Sequence, residues 1–214
     1  MKAFTMASFV VFGKPSHNIK KQIHVHGFPR NAASHQTYLN STNALFTMEP
    51  KETLEHLKES NTFRQWNEKN TDNFFSYALK IIENKSEEPW KLGFYLKSKD
   101  KMVSFIIKSD NIEMQNEEEI FKRPETEVKP IKEEKIKVPF KRILKNAEQL
   151  QKEKYSKEII SKTIAILQNL KEYGTVWNIT FVTLAFKTLN LKINSENGEI
   201  IDYNLESLMS LMRE

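Results

Sequence analysis

The chain has 214 residues, of which 29% are charged and none is cysteine. The lack of cysteine excludes disulfides, thiolate metal sites and thiol nucleophiles. The longest apolar run, Ala7 to Gly13, is far shorter than the about 20 residues that a transmembrane helix needs. At this length the chain can bury a sizeable core, as one domain or as two small ones.

The net charge of +5 belongs to the first 47 residues, which contain five Lys or Arg and no Asp or Glu. That leaves 28 basic and 28 acidic residues in 48–214. The composition allows three interpretations of residues 1–47: a start of translation at Met48 instead of Met1, a targeting segment, or a basic arm. Because the remainder is neutral, an association with nucleic acid is expected only through this extension.

Two helices are predicted at the start of the neutral part. Thr47 suits an N-cap, and Leu54 and Leu57 open an apolar helical face that Phe63 and Trp66 continue after an interruption at 61–62. A third and stronger helix is predicted from Thr71 to about Asn84. Its evidence is the helical spacing of two overlapping apolar sets: Phe74, Ala78 and Ile81, with Phe75, Leu79 and Ile82 beside them.

Strict alternation then predicts two strands, at Trp90 to Leu96 and at Met102 to Lys108. The charged and proline-containing residues 109–137 are predicted to be a connector. An amphipathic helix follows over Phe140 to about Lys154, and Thr163 to Leu170 has the composition of a buried strand.

The clearest pattern in the chain lies between Val176 and Tyr203. Trp177, Ile179 and Phe181 alternate with polar residues, and the alternation returns over 189–194. Asn197-Gly198 is a strong turn signal, and it is followed by a predicted third strand, Glu199 to Tyr203. A short helix is expected from Leu205 to Met212.

These elements predict an α+β fold in which helices pack on an antiparallel sheet. They form two helix-then-meander units, at 48–130 and 131–214. The first strand of each unit begins at a tryptophan, Trp90 or Trp177, and its apolar positions match at a constant offset of 87 residues. The two units are therefore interpreted either as a degenerate duplication or as two unrelated amphipathic hairpins.

Residue chemistry points to no reaction. His24 and His26 could offer two imidazoles to a metal, but a site needs three or four ligands and the extension has no carboxylate. No phosphate-binding glycine loop or nucleophile motif is present in the sequence. We therefore expect no catalytic residue, cofactor or metal.

Two sets of residues are predicted to contact other molecules. The solvent face of the best-patterned hairpin is the candidate interaction surface, formed by Asn178, Thr180, Asn190, Lys192 and Asn194. Aromatic side chains could line a ligand groove between helices and sheet, with Trp90, Tyr95 and Trp177 as the candidates.

The run from Leu191 to Ile201, LKINSENGEII, resembles the closing strand of PepSY-type domains. The shared pattern is an alternating strand, an Asn, a few polar residues, then Gly, a charged residue and two aliphatic residues. The resemblance covers about Val138 to Tyr203, and it implies a small α+β module that binds or restrains a protein partner and has no catalytic residues. The chain as a whole also resembles small uncharacterised archaeal proteins.

The function expected from the sequence is that of a soluble, cytoplasmic, non-enzymatic binding or regulatory module with a protein partner. The first alternative is a small-ligand-binding protein or enzyme that uses a groove between helices and sheet. The second alternative is association with nucleic acid through residues 1–47.

Overall fold

A computed structural model describes residues 48–120 and 127–208. In these residues there are three α-helices, α1 Pro50–Glu59, α2 Asn61–Lys69 and α3 Phe140–Lys154, and one 3-10 turn, Glu133–Lys135. The strands are β1 Asn73–Glu83, β2 Ser86–Glu87, β3 Trp90–Leu96, β4 Lys101–Ile107, β5 Ile112–Met114, β6 Glu118–Glu119, β7 Ile160–Leu170, β8 Gly174–Thr183, β9 Lys187–Asn194 and β10 Ile200–Ser207.

The ten strands form one sheet in the order β10-β9-β8-β7-β1-β3-β4-β5, with the short β2 paired to β1 and β6 paired to β4. Every strand pair in this sheet is antiparallel. The two predicted units meet where β1 pairs with β7, from Tyr77 opposite Gln168 to Glu83 opposite Lys162. Residues on both sides of position 130 therefore build the same sheet. This is the predicted α+β class, while the duplication stays a prediction.

The three helices lie on one face of the sheet and bury a continuous core. Beneath α2, Phe63 and Trp66 pack against Phe94 and Phe105 of the sheet, with ring centroids 4.9–5.7 Å apart. Ser60 fixes the start of α2, because its Oγ accepts a hydrogen bond from the Phe63 N–H at 3.2 Å. The apolar helical stripes predicted from the sequence are thus the faces that pack on the strands.

A second aromatic group lies beneath α3. Phe140, the first residue of that helix, contacts Trp177 of β8 at 5.0 Å and Trp90 of β3 at 5.2 Å between ring centroids. Ile143 and Ala147 continue the buried side of α3. The predicted boundaries of this helix, Phe140 and Lys154, are confirmed.

The predicted helix from Thr71 to Asn84 is wrong, because this segment is β1. The strand contains a bulge between Phe75 and Tyr77, which adds one residue to its pairing with β3. Because of the extra residue, Phe75 and Ala78 both reach the core, three positions apart as on a helix. The bulge therefore gives a strand the apolar spacing of a helix. At the predicted helix end, Asn84 and Lys85 instead form the turn into β2, with φ of 51° and 64°.

The predicted strands at Trp90, Met102, Thr163, Trp177 and Glu199 are confirmed as β3, β4, β7, β8 and β10, with small changes of boundary. The predicted helix from Leu205 to Met212 is wrong for its first three residues, because β10 continues to Ser207. Residues 209–212 lie outside the described part, as do Thr47, His24, His26 and the whole of 1–47. The turn at Asn197-Gly198 is confirmed, with Gly198 at φ +78°.

Ser195 holds the connector against the sheet. Its side chain is fully buried, and its hydroxyl lies 2.8 Å from the carbonyl oxygens of Lys135 and Thr175. Its own carbonyl accepts hydrogen bonds from the N–H groups of Lys137 and Val138, each at 3.0 Å. The connector is therefore a fixed part of the fold where it enters α3.

Candidate interaction surface

The helices cover one face of the sheet, and polar side chains cross the other face over β8, β9 and β10. Trp177, Ile179 and Phe181 point toward α3, so the residues between them point the opposite way. Strand register places these side chains in two polar rows: Asn178, Lys192 and Asp202 in the first, and Thr180, Asn190 and Asn204 in the second.

Each polar row is held by a contact between neighbouring strands. In the first row, the Lys192 Nζ lies 2.6 Å from the Asp202 Oδ2 and 5.0 Å from the centre of the Tyr173 ring. In the second, the Thr180 hydroxyl donates to the Asn190 Oδ1 at 2.7 Å. These contacts fix the side chains in place, so the rows present a preformed pattern of donors and acceptors.

The predicted surface residues differ in their surroundings. Thr180, Asn190 and Lys192 are half-buried, whereas Asn178 is only 4% exposed. Asn194 serves the turn that follows β9, because its Oδ1 accepts hydrogen bonds from the N–H groups of Glu196 and Asn197. Thr180, Asn190 and Lys192 are thus the predicted members with side chains available on the polar rows.

The structure does not bring the three predicted groove residues together. Trp90 and Trp177 lie in the core beneath α3, with ring centroids 6.1 Å apart and almost no exposure. Tyr95 lies on the opposite face of the sheet, where it packs with Tyr77, Met102 and Val128. Its hydroxyl donates to the Asp100 carboxylate at 2.7 Å. The three aromatic side chains therefore lie on opposite faces of the sheet and cannot line one groove.

A shallow groove does exist between α3 and the β9–β10 turn. The described residues that line it are Asn146, Gln149, Leu150, Glu153, Gly198 and Ile200. The Asn146 amide donates to the Gly198 carbonyl at 2.9 Å across one end of the groove. The sequence predicted a groove between helices and sheet but not these lining residues, because they depend on how α3 is set against the β9–β10 turn.

A buried lysine is the second feature that the sequence did not reveal. Lys80 of β1 is 1% exposed and lies on the helix-covered face, in register with Ala165. Its Nζ is 3.1 Å from the Glu87 Oε2 and 4.8 Å from the centre of the Trp90 ring. The period-two position of Lys80 would have placed it in the core if the segment had been recognised as a strand.

Glu49 adds a carboxylate near this lysine. Its Oε2 accepts the N–H of Phe140 at 2.7 Å and so caps the start of α3, although the residue itself precedes α1. Burial raises the pKa of this carboxyl, and the hydrogen bond from Phe140 opposes part of the rise. Glu49 thus joins two helices and carries a carboxyl that burial makes easier to protonate.

Polar groups are also buried on the face opposite the helices. The Tyr77 hydroxyl lies 2.7 Å from the Ser104 hydroxyl, and burial raises the pKa of Tyr77. Beside it in the register, the buried Gln168 amide has no hydrogen-bond partner within residues 48–120 and 127–208. In that part of the chain no cluster of three or more metal-ligating side chains occurs. No helix there is long and apolar enough to cross a membrane.

Comparison with known proteins adds little to these observations. No protein-family model matches the chain, and no curated protein matches it either. A solved crystal structure of a "putative lipoprotein" from Clostridium difficile 630 is similar over 68% of this chain and 91% of that one, at 10% identity and a TM-score of 0.43. Similarity at this level carries no argument about fold or function.

Proposed function

We propose that this protein is a non-enzymatic binding module whose protein partner docks on the polar rows of β8, β9 and β10. The observation that carries the proposal is the placement of all three described helices on the other face of the sheet. A partner could reach Thr180, Asn190 and Lys192 without displacing a helix.

The adjoining edge extends this surface. β10 pairs only with β9, so one side of its eight residues has no strand partner among the described residues. An edge strand of this kind can accept an extended peptide by main-chain hydrogen bonds, while side chains on the face select its sequence. The expected partner therefore presents an extended segment with polar side chains.

The PepSY-like interpretation of 138–203 and a cytoplasmic location remain parts of this proposal. The resemblance supports a module that acts on another protein, because the family it points to binds or restrains protein partners. The two helix-then-strand units are proposed to be halves of a degenerate duplication, supported by the order of helices followed by strands on either side of position 130.

The experiment is site-specific photocrosslinking from the whole chain in native lysate. A photoreactive phenylalanine replaces Asn190 on the polar rows and, as the matched control, Glu148 on the outer side of α3. We expect a discrete crosslinked partner from position 190 and none from position 148. Equal crosslinking from both positions, or none from 190, contradicts docking on the polar rows.

A specific observation supports the alternative of small-ligand binding: the groove between α3 and the β9–β10 turn. It offers amide and carboxylate groups beside Leu150 and Ile200, which suits a small polar ligand. Thermal-shift screening against metabolites tests it, since a bound ligand raises the melting temperature. A rise that disappears in Gln149→Ala favours this function over a binding module.

A further inference from the structure

Exposed apolar side chains gather at one end of the sheet. Ile159, Leu184 and Phe186 are 65%, 62% and 67% exposed, the highest values among the large apolar side chains of the described residues. They lie together because the Leu184 N–H donates to the Ile159 carbonyl at 2.9 Å, and Phe186 follows in the same β8–β9 turn. We call these three residues the apolar tip.

Phe186 has an unusual backbone conformation for an aromatic residue. Its φ is +55°, in the left-handed region that glycine and asparagine normally occupy in a turn of this kind. Its N–H donates to the Thr183 carbonyl at 3.1 Å, and its carbonyl accepts the Leu208 N–H at 2.9 Å. The hydrogen bonds of the turn involve only the backbone of this residue. Its large apolar side chain is nevertheless two-thirds exposed to solvent. Such a conflict between local preference and sequence is typical of a functional site.

Four lysines lie at the same end of the sheet as the apolar tip. Lys157 precedes Ile159 by two residues, and Lys85 lies in the turn after β1, which the β1–β7 register brings to the same end of the sheet. Neither has an ion pair within the described residues. Lys162 and Lys187 are also at this end, paired with Glu83 at 3.3 Å and Glu158 at 2.6 Å.

The size and shape of the apolar tip favour a lipid surface over a protein. Three side chains, each about two-thirds exposed, can bury at most about 500 Å² if each has the area of an aromatic residue. A standard-size protein interface buries about 800 Å² on each partner, which is more than the apolar tip can supply. A protruding turn enters a bilayer without any matching pocket, and lysines around it meet anionic headgroups. We propose that the apolar tip docks this protein on the surface of a phospholipid bilayer that contains anionic lipid.

Vesicle co-sedimentation of the whole chain tests this proposal, which does not depend on the proposed protein partner. We expect the protein to sediment with phosphatidylcholine vesicles that contain phosphatidylglycerol, and less so as salt is added. Phe186→Gly should reduce the bound fraction about tenfold, since it removes the largest apolar side chain of the tip. The variant keeps the left-handed turn, so its melting temperature should not fall.

The controls separate the tip from other sources of binding. Met114→Ser removes an exposed apolar side chain from β5, an edge strand far from the tip in the strand order, and should leave binding unchanged. The basic residues 1–47 are the same in every variant, so their contribution cancels. In Phe186→Trp, lipid brominated on its acyl chains should quench the added tryptophan. The proposal is overturned if the protein does not sediment with the anionic vesicles, if Phe186→Gly binds as well as the parent, or if no quenching occurs.

Discussion

A methyl group added at Gly93 should collide with the ring of Tyr77. In the β1–β3 register Tyr77 lies opposite Gly93, and in the β3–β4 register Gly93 lies opposite Ser104. The Tyr77 ring crosses over the glycine, and its hydroxyl lies 2.7 Å from the Ser104 hydroxyl on β4. A Cβ at position 93 would lie 1.9 Å from the Tyr77 Cε1 and 2.5 Å from its Cζ. The ring of a buried tyrosine would therefore have to move.

The expected cost of Gly93→Ala has two parts. Overpacking of a filled core costs about 1–3 kcal/mol, and loss of the buried Tyr77–Ser104 hydrogen bond adds about 1 kcal/mol. We expect the free energy of unfolding to fall by about 2–4 kcal/mol. Urea denaturation followed by tryptophan fluorescence measures this change, because Trp66, Trp90 and Trp177 are all buried.

A double-mutant cycle tests the reason for this cost. In the Tyr77→Ala background the ring is absent, so Gly93→Ala should be neutral or stabilising by about 0.5–1 kcal/mol. Gly174→Ala is the matched control: no atom lies within 4 Å of its added methyl, but its φ is +70°. Its cost should be about 1 kcal/mol and the same in both backgrounds. An equal cost of Gly93→Ala with and without Tyr77 would refute the reasoning.

Three further predictions concern charge and backbone conformation. Burial raises the pKa of Glu49, so ionisation of this carboxyl opposes folding. The parent protein should therefore lose stability relative to Glu49→Gln as the pH rises from the usual glutamate pKa through the raised value. Urea denaturation of both proteins across that pH range measures the difference, and a gain of stability by the parent would contradict the prediction. Lys80→Met should change the free energy of unfolding by less than about 1 kcal/mol, because the Glu87 carboxylate that loses its partner is near the surface. Lys80→Ala should cost about 2–4 kcal/mol, because it leaves the space of the lysine side chain empty. Equal losses in denaturant titrations would show that the lysine charge, and not its aliphatic chain, stabilises the fold. Phe186→Gly should raise the free energy of unfolding by about 1 kcal/mol, because it relieves a left-handed residue, and a lower melting temperature in calorimetry would contradict this.

Much of the fold could be predicted because its elements have simple periodicity. The boundaries of α3 and the strands around Trp90, Trp177 and Leu189 followed from alternation or from a helical stripe. β1 could not be predicted, because the bulge beside Ser76 shifted the phase of its apolar positions. Seven of its eleven residues are also apolar and they lie on both faces, so no polar face marked the strand.

Less of the candidate surface could be predicted. Alternation placed Thr180, Asn190 and Lys192 on the face away from the core. It did not show that Asp202 joins the same row, because β10 contains a bulge of its own after Ile200. It also did not show that Asn194 holds a turn. The apolar tip could not be recognised at all, since Ile159, Leu184 and Phe186 are ordinary core residues by type.

Local periodicity was enough to predict the α+β class and the buried faces of α3, β3, β8 and β9, because these elements follow a regular helical or strand spacing. Only the tertiary structure joined the two units into one sheet through β1 and β7, placed Lys80 in the core and left Phe186 exposed in a left-handed turn. Those features depend on strand register and on contacts between residues far apart in the chain. No local pattern encodes them, because each follows from which strand lies beside which.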